Sequence, residues 1–130
     1  MHTASRICLI DDDIFVLDAL ALALRDAGYA VTTAPGAAAG FDIVMREGAE
    51  VVITDLNMPG TNGMQMIAQA RAMWPDLPII AISGASMIAG QPVSDAAHAL
   101  GANALLPKPF RASELVALLE DVLAARRSSD

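Results

Sequence analysis

Five short apolar runs punctuate the chain: Ile7 to Ile10, Ala30 to Thr33, Val51 to Thr54, Ile79 to Ile82 and Ala104 to Leu106. They are too short for helices of ordinary length and rich in β-branched residues, which predicts strands. Between and after them lie longer segments with helical spacing, near Asp13 to Ala27, Gly36 to Glu47, Gly63 to Met73, Val93 to Leu100 and Ala112 to Ala125. Gly28, Gly48 and Gly101 stand just past three of these helices, where a left-handed stop is needed and glycine adopts it at little cost. Strands that are apolar on both faces belong to a parallel sheet covered on both sides. With right-handed crossovers, the alternation predicts an α/β flavodoxin-like (βα)5 domain with a five-stranded parallel sheet, strand order 2-1-3-4-5, and helices on both faces.

Composition narrows the class. At 130 residues, 55% hydrophobic and 18% charged, the chain suits one packed domain spanning residues 1–130, with a folded core from about 5 to 126 and no output domain. Arg126 to Asp130 reads as a polar end. The net charge of −7 argues against direct nucleic-acid contact, since phosphate-backbone binding needs a basic face. The single cysteine, Cys8, sits in an apolar run and reads as a buried hydrophobe, which suits a reducing cytoplasm. Pro78, Gly84, Gly90 and Pro92 interrupt the longest uncharged stretch, so no membrane insertion is expected.

In open α/β sheets ligands gather outside the carboxyl ends of the strands. The residues there are polar: Asp11, Asp12 and Asp13 after the first run, Asp55 at the third, Ser83 at the fourth and Lys108 after the fifth. Each has a bland reading. Asp13 is expected to cap the first helix, Asp55 could mark a turn before Pro59 and Gly60, Ser83 could bond its own backbone, and Lys108 could be a solvated amine. Together they require compensation, because two carboxylates about 4 Å apart repel by about 4 kcal/mol at an effective dielectric of about 20. A hard divalent cation supplies it, and Mg2+ favours one or two carboxylates with waters and phosphate oxygens. A carboxylate can then serve as nucleophile toward phosphorus while a lysine neutralises the phosphoryl charge.

Four segments carry a family resemblance: Ile7-Cys-Leu-Ile-Asp-Asp-Asp13, Val51-Val-Ile-Thr-Asp-Leu-Asn-Met-Pro-Gly-Thr-Asn-Gly63, Ile79-Ile-Ala-Ile-Ser-Gly84, and Gly101 through Pro107-Lys-Pro-Phe110. In these the chain resembles the receiver domains of two-component response regulators, especially the stand-alone chemotaxis-type members, over almost its whole length. The resemblance implies that Asp55 is the phosphoacceptor, taking its phosphoryl group from a histidine kinase or histidine phosphotransfer protein and switching contacts with a downstream protein. It implies that Asp11 and Asp12 form the acidic pair around Mg2+, joined by Asp55 and the backbone carbonyl of Asn57. Ser83 and Lys108 then hold phosphoryl oxygens, and the Lys108–Pro109 peptide is expected to be cis. Two departures bear on the switch. Leu105 stands where the family usually carries Tyr or Phe, and the stretch from Ser83 to Lys108 is a few residues longer than the family's common pattern, with the excess around Ala85 to Gln91.

Two rival readings use the same residues. An aspartyl-nucleophile phosphohydrolase would use Asp11 as nucleophile and Asp13 as acid, with Ser83 and Lys108 assisting, but lacks the further acidic pair at Phe110 and Arg111 that such enzymes show. A receiver-fold scaffold without phosphorylation is the other. His2 and His98 lack ligand-spaced company, and Gly84 to Gly90 lacks the Lys-Ser/Thr ending of a P-loop. On the first helix, Leu17, Leu20 and Leu24 cluster on one side, leaving Leu22 and Phe15 exposed beside the acidic rim as a candidate donor-docking surface.

Overall fold

The computed structural model describes residues 4–128. The elements run β1 (Arg6–Ile10), α1 (Ile14–Asp26), β2 (Ala30–Ala34), α2 (Ala37–Glu47), β3 (Val51–Asp55), α3 (Gly63–Met73), β4 (Ile79–Ser83), β5 (Met87–Ile88), β6 (Gln91–Pro92), α4 (Val93–Ala99), β7 (Ala104–Pro107) and α5 (Ala112–Ser128). The main sheet has five parallel strands in the order β2-β1-β3-β4-β7, which is the expected flavodoxin-like arrangement.

Side-chain alternation along each strand divides the core in two. Cys8, Ile10, Val52, Ile79 and Ala81 face α2, α3 and α4, where they meet Ile43, Val44, Met66, Ile67, Val93 and Ala97. Ile7, Leu9, Val51, Ile53, Ile80 and Ile82 face α1 and α5, against Leu17, Leu20, Leu24, Leu115 and Leu119. Leu24, Ile53 and Leu119 have no exposed surface, and burying such side chains stabilises the fold by about 1.5–3 kcal/mol each. Burial on both faces explains why these strands show no polar alternation in sequence.

The helix stops fall as the glycines predict: Gly28, Gly48 and Gly101 have φ of 102°, 77° and 116°. Cys8 is buried, its thiol facing the Gly40 carbonyl, and burial pushes its pKa up to about 11. The carboxyl end of α3 is knitted to the α4–β7 connection by Arg71. Its guanidinium donates to the carbonyls of Trp74, Pro75 and Gly101 and to Asn103 Oδ1, which also accepts from the Ile79 amide.

Several element bounds depart from expectation. Strand β1 begins one residue earlier, at Arg6, and strands β2, β3, β4 and β7 each run one residue further, so Asp55 and Ser83 are the last residues of their strands; α5 continues to Ser128, past the expected end of the folded core at about 126 and into the segment expected to be only a polar end. Helix α4 ends at Ala99, with Leu100 as its cap. The segment around Ala85 to Gln91 is no plain loop: β5 and β6 pair antiparallel as a small hairpin. Ala89 and Gly90, both at positive φ (49° and 81°), make its turn, the conformation that suits two-residue hairpin loops.

Candidate functional site

Parallel pairing sets the ends of β1, β3, β4 and β7 at one rim of the sheet, and the site follows from that register. Ile10 pairs with Thr54, Asp55 with Ile82, and Ser83 with Pro107. The strand ends therefore bring Asp11, Asp55, Ser83 and Lys108 together from four elements. The Lys108 amide donates to the Ser83 carbonyl at 2.9 Å, extending the β4–β7 ladder by one rung, and the Lys108–Pro109 peptide is cis.

The three leading acids have three different fates. Asp13 caps α1, its Oδ1 accepting from the amides of Phe15 (3.0 Å) and Val16 (3.3 Å). Such a cap is worth about 1 kcal/mol and occupies the carboxylate that a phosphohydrolase reading would need as its acid. Asp11 is buried, with Oδ1 accepting from the Asp13 amide at 2.9 Å, while Asp12 is exposed. Carboxylate oxygens of Asp11, Asp12 and Asp55 all lie within 4.8 Å of one another.

Asp55 is only 3% exposed. Its Oδ1 accepts from the Asn57 amide and its Oδ2 from Lys108 Nζ, both at 2.9 Å. Three carboxylates against one ammonium leave two uncompensated negative charges. Charges about 4–5 Å apart repel by roughly 3–4 kcal/mol at an effective dielectric of about 20, so the strain falls on the protonation states. Burial pushes the Asp11 carboxyl above its ordinary value; the Asp55 and Asp12 charges add to the shift, and the Asp13 amide and Lys108 oppose it. For Lys108, burial alone would lower the pKa, but the hydrogen bond to Asp55 and the charges of Asp55, Asp11 and Asp12 outweigh it and raise it. An all-oxygen, doubly negative cluster fits a small hard dication, so the residues present suit Mg2+.

Ser83 is 1% exposed and turns back on its own segment. Its Oγ accepts from the Ala85 amide at 3.0 Å and donates toward Asn57 Oδ1 at 3.1 Å, with the Ala85 carbonyl at 3.3 Å as the alternative acceptor. Asn57 Oδ1 also accepts from the Gly84 amide at 3.0 Å.

All six residues expected at the site thus share one rim: Asp11, Asp12, Asp55, Asn57, Ser83 and Lys108. Three contributions went unread in the sequence. The Asn57 side chain, expected to matter only through its carbonyl, bridges to β4. The Gly84 amide is a donor at the rim. Gly63, the first residue of α3, lies against the Leu56 backbone, where an added Cβ would come within 2.5 Å of the Leu56 carbonyl oxygen. Only the position of Gly63 at the end of the third-strand motif could have signalled this. Away from the rim, a concavity of about 1030 Å3 sits at the other end of the sheet around Pro78, Gly101 and Asn103, and shares no residue with the acidic site. No helix among the described residues is long and apolar enough to cross a membrane.

Comparison with known proteins agrees with this geometry. The transcriptional regulatory protein GlrR of Escherichia coli is 34% identical over 122 residues, covering 94% of this chain and 27% of that protein. FixJ of Bradyrhizobium diazoefficiens is 32% identical over 123 residues, 95% of this chain and 58% of FixJ. The chain therefore spans only part of the length of these relatives. Among solved structures, the chemotaxis protein CheY4 of Vibrio cholerae matches with a TM-score of 0.84 at 25% identity over 92% of this chain and 99% of CheY4. A CheY-like receiver domain protein of Methanospirillum hungatei shares the fold at TM-score 0.90 and 23% identity, over 98% of this chain and all of that one (100%). The profile of the response regulator receiver domain matches residues 7–120, and the chain belongs to that family, the receiver domains of two-component signalling.

Proposed function

We propose that Asp55 accepts a phosphoryl group from a phosphohistidine on a histidine kinase or phosphotransfer protein, and that the acyl phosphate changes how this domain engages a downstream protein. The observation that carries the reading is the setting of Asp55: a buried carboxylate at a strand end, 2.9 Å from Lys108 Nζ and beside two further carboxylates.

A carboxylate oxygen of Asp55 attacks phosphorus; the P–O bond of the acyl phosphate forms as the P–N bond to the donor imidazole breaks, and the electron pair leaves with the imidazole. Asp55 is oriented beforehand, since the Asn57 amide and Lys108 Nζ fix its two oxygens. Lys108 then follows the charge from carboxylate to phosphoryl oxygen, and the Ser83 hydroxyl provides a second donor. Asp11, Asp12, Asp55 and the carbonyl of Asn57 would hold Mg2+, which when bound supplies charge neutralisation for the phosphoryl oxygens. Later hydrolysis restores the carboxylate, so the domain acts as a signalling phosphoacceptor and turns over only its own phosphate. We assign residues 1–130 to this single domain and place it in the cytoplasm, where kinase donors act; the net charge of −7 speaks against direct DNA contact.

The donor would dock beside the rim on α1, where Ile14 (63% exposed) and Phe15 (83%) present apolar surface next to the acids and Leu22 (62%) extends it along the helix. The test is incorporation of label from a small acyl phosphate, with and without Mg2+. Asp55→Asn should take no label, and Asp12→Ala should need more Mg2+ for the same rate. Wild-type labelling of Asp55→Asn would overturn the acceptor assignment, and unchanged Mg2+ dependence in Asp12→Ala would overturn the metal assignment.

A further inference from the structure

Two hydrogen-bond donors from consecutive residues at the end of β4, Ser83 Oγ and the Gly84 amide, converge on one oxygen, Asn57 Oδ1, at 3.1 and 3.0 Å. A backbone amide can only donate, so the carboxamide must turn its oxygen, not its nitrogen, toward them. Ser83 Oγ accepts from the Ala85 amide at 3.0 Å, and of the two acceptors within reach of its proton Asn57 Oδ1 is the nearer, at 3.1 Å against 3.3 Å for the Ala85 carbonyl. Asn57 is also held from its main chain, because its own amide donates to Asp55 Oδ1. It therefore spans the nucleophile and the paired donors on the neighbouring strand. An asparagine that is itself exposed could satisfy its oxygen with water; here the oxygen instead serves a hydroxyl that is 1% exposed and an amide 27 residues away.

A phosphoryl oxygen on Asp55 would need the donors at this corner. Lys108 is already there: a Cβ on Gly84 would lie 4.0 Å from Lys108 Cδ, and the Lys108 amide is bonded to the Ser83 carbonyl. We infer that the Asn57 carboxamide oxygen is an internal stand-in for a phosphoryl oxygen, a tether that occupies Ser83 and Gly84 in the unphosphorylated chain and must be displaced when Asp55 is phosphorylated. This rests on Asp55 being the acceptor. Asn57 is then a positioning residue whose side chain opposes the modified state: the incoming oxygen gains two donors only as Asn57 gives them up. The segment released with them leads into the hairpin, and α4 hangs from it, since the Val93 amide donates to the Ser86 carbonyl at 2.9 Å.

The experiment is a titration of the full chain with beryllofluoride in saturating Mg2+, followed by amide resonances. Removing the competing acceptor in Asn57→Ala should tighten the apparent affinity for the mimic roughly three- to tenfold, the scale of about one neutral hydrogen bond. Asn57→Asp, which keeps an acceptor of the same reach, should show no gain. In a Ser83→Ala background the gain from Asn57→Ala should fall by half or more, a coupling that general loosening of the loop would not produce. In the wild-type chain, the Asn57 side-chain NH2 resonances should move on adding the mimic, beyond any change caused by Mg2+ alone. Affinity in Asn57→Ala equal to or weaker than wild type, or unmoved Asn57 side-chain resonances, would overturn the tether while leaving the acceptor reading intact. A wild-type chain that takes no mimic at all would overturn both.

Discussion

Gly63→Ala is the smallest change that should reach the site from outside it. An added Cβ would stand 2.5 Å from the Leu56 carbonyl oxygen, 2.8 Å from its Cα and 2.9 Å from its Cβ, where ordinary contacts begin near 3.4 Å. The first two are main-chain atoms and cannot rotate away, so the backbone must separate by roughly 1 Å in a close-packed region. Overpacking of this kind costs about 1–3 kcal/mol. Opposing it, alanine is favoured over glycine in helix interiors by up to about 1 kcal/mol, and by less here because Gly63 is the first residue of α3. Overpacking wins by about 1–2 kcal/mol, which for a domain of this size lowers the Tm by roughly 3–10 °C. The displaced residue lies between Asp55 and Asn57 and donates its amide to the Ile82 carbonyl at 2.9 Å, so the nucleophile moves with it. A misplacement of about 1 Å can cost about a hundredfold in rate. Thermal unfolding and the rate of labelling by a small acyl phosphate measure the two effects. Gly36→Ser serves as the control: nothing lies within 4 Å of a Cβ there, and serine improves an N-cap that now has no side-chain hydrogen bond, so stability should hold or rise. A Gly63→Ala chain as stable as wild type and labelled at the same rate would refute the packing argument.

Two other outcomes follow from the site and its margin. Leu22→Glu should slow phosphotransfer from a kinase while leaving labelling by a small acyl phosphate unchanged, because Leu22 lies on the exposed face of α1 away from the acids; equal kinase rates for the two chains would remove the docking surface. Because the Asp11 pKa is raised, the folded chain holds that proton to higher pH than the unfolded chain, so its ionisation costs stability as pH rises through the carboxyl range. The raised Lys108 acts oppositely, its contribution being present below the unfolded lysine value and lost only as pH climbs through the higher folded value. Mg2+ at about a hundred times its Kd should add about 2.7 kcal/mol to stability near neutrality, and this increment should shrink as pH falls into the Asp11 range. Tm measured with and without Mg2+ from about pH 8 to about pH 4 tests this, and an increment that stays constant would contradict it.

What the sequence made legible was what short-range patterning controls. Ile7 to Ile10 and Val51 to Thr54 are apolar on both sides because helices cover both faces, and the strand order follows once five such runs alternate with helices. Asp13 could be read as a cap because capping needs only the amides two and three residues on. The hairpin was not legible, since Met87–Ile88 and Gln91–Pro92 are two residues each and too short for periodicity to register. The side-chain role of Asn57 and the packing of Gly63 were missed for a different reason. An asparagine in a turn and a glycine at a helix start each have a sufficient local explanation, while their structural roles depend on Ser83, 26 residues away, and on the Leu56 main chain.

Leu105 bears on how a modified Asp55 could be felt elsewhere. Its side chain is half-buried, packs against the cluster that includes Val93 and Ala97 of α4, and lines a concavity of about 200 Å3 with Ser94, Ala97, His98, Ala102 and Ala104. A leucine has no hydroxyl to change partners and no flat ring to exchange between that concavity and solvent. The main chain leaving β4 is instead hydrogen-bonded to the rim directly. Ser83 is held by Asn57 and by the Ala85 amide, Gly84 by Asn57, and Ser86 by Val93, so the connection from the phosphoryl site to the first turn of α4 is a chain of specific bonds, two of which share one displaceable acceptor. At the far end of α4, Arg71 pins the Gly101 carbonyl to α3 with two donors, at 2.7 and 3.2 Å. A helix bonded at its carboxyl end to α3 and at its amino end to the segment leaving the rim would answer a change at the rim at its amino end first. The exposed Met87 and Ile88 of the hairpin would move with it, carrying the change to the surface that a partner could read.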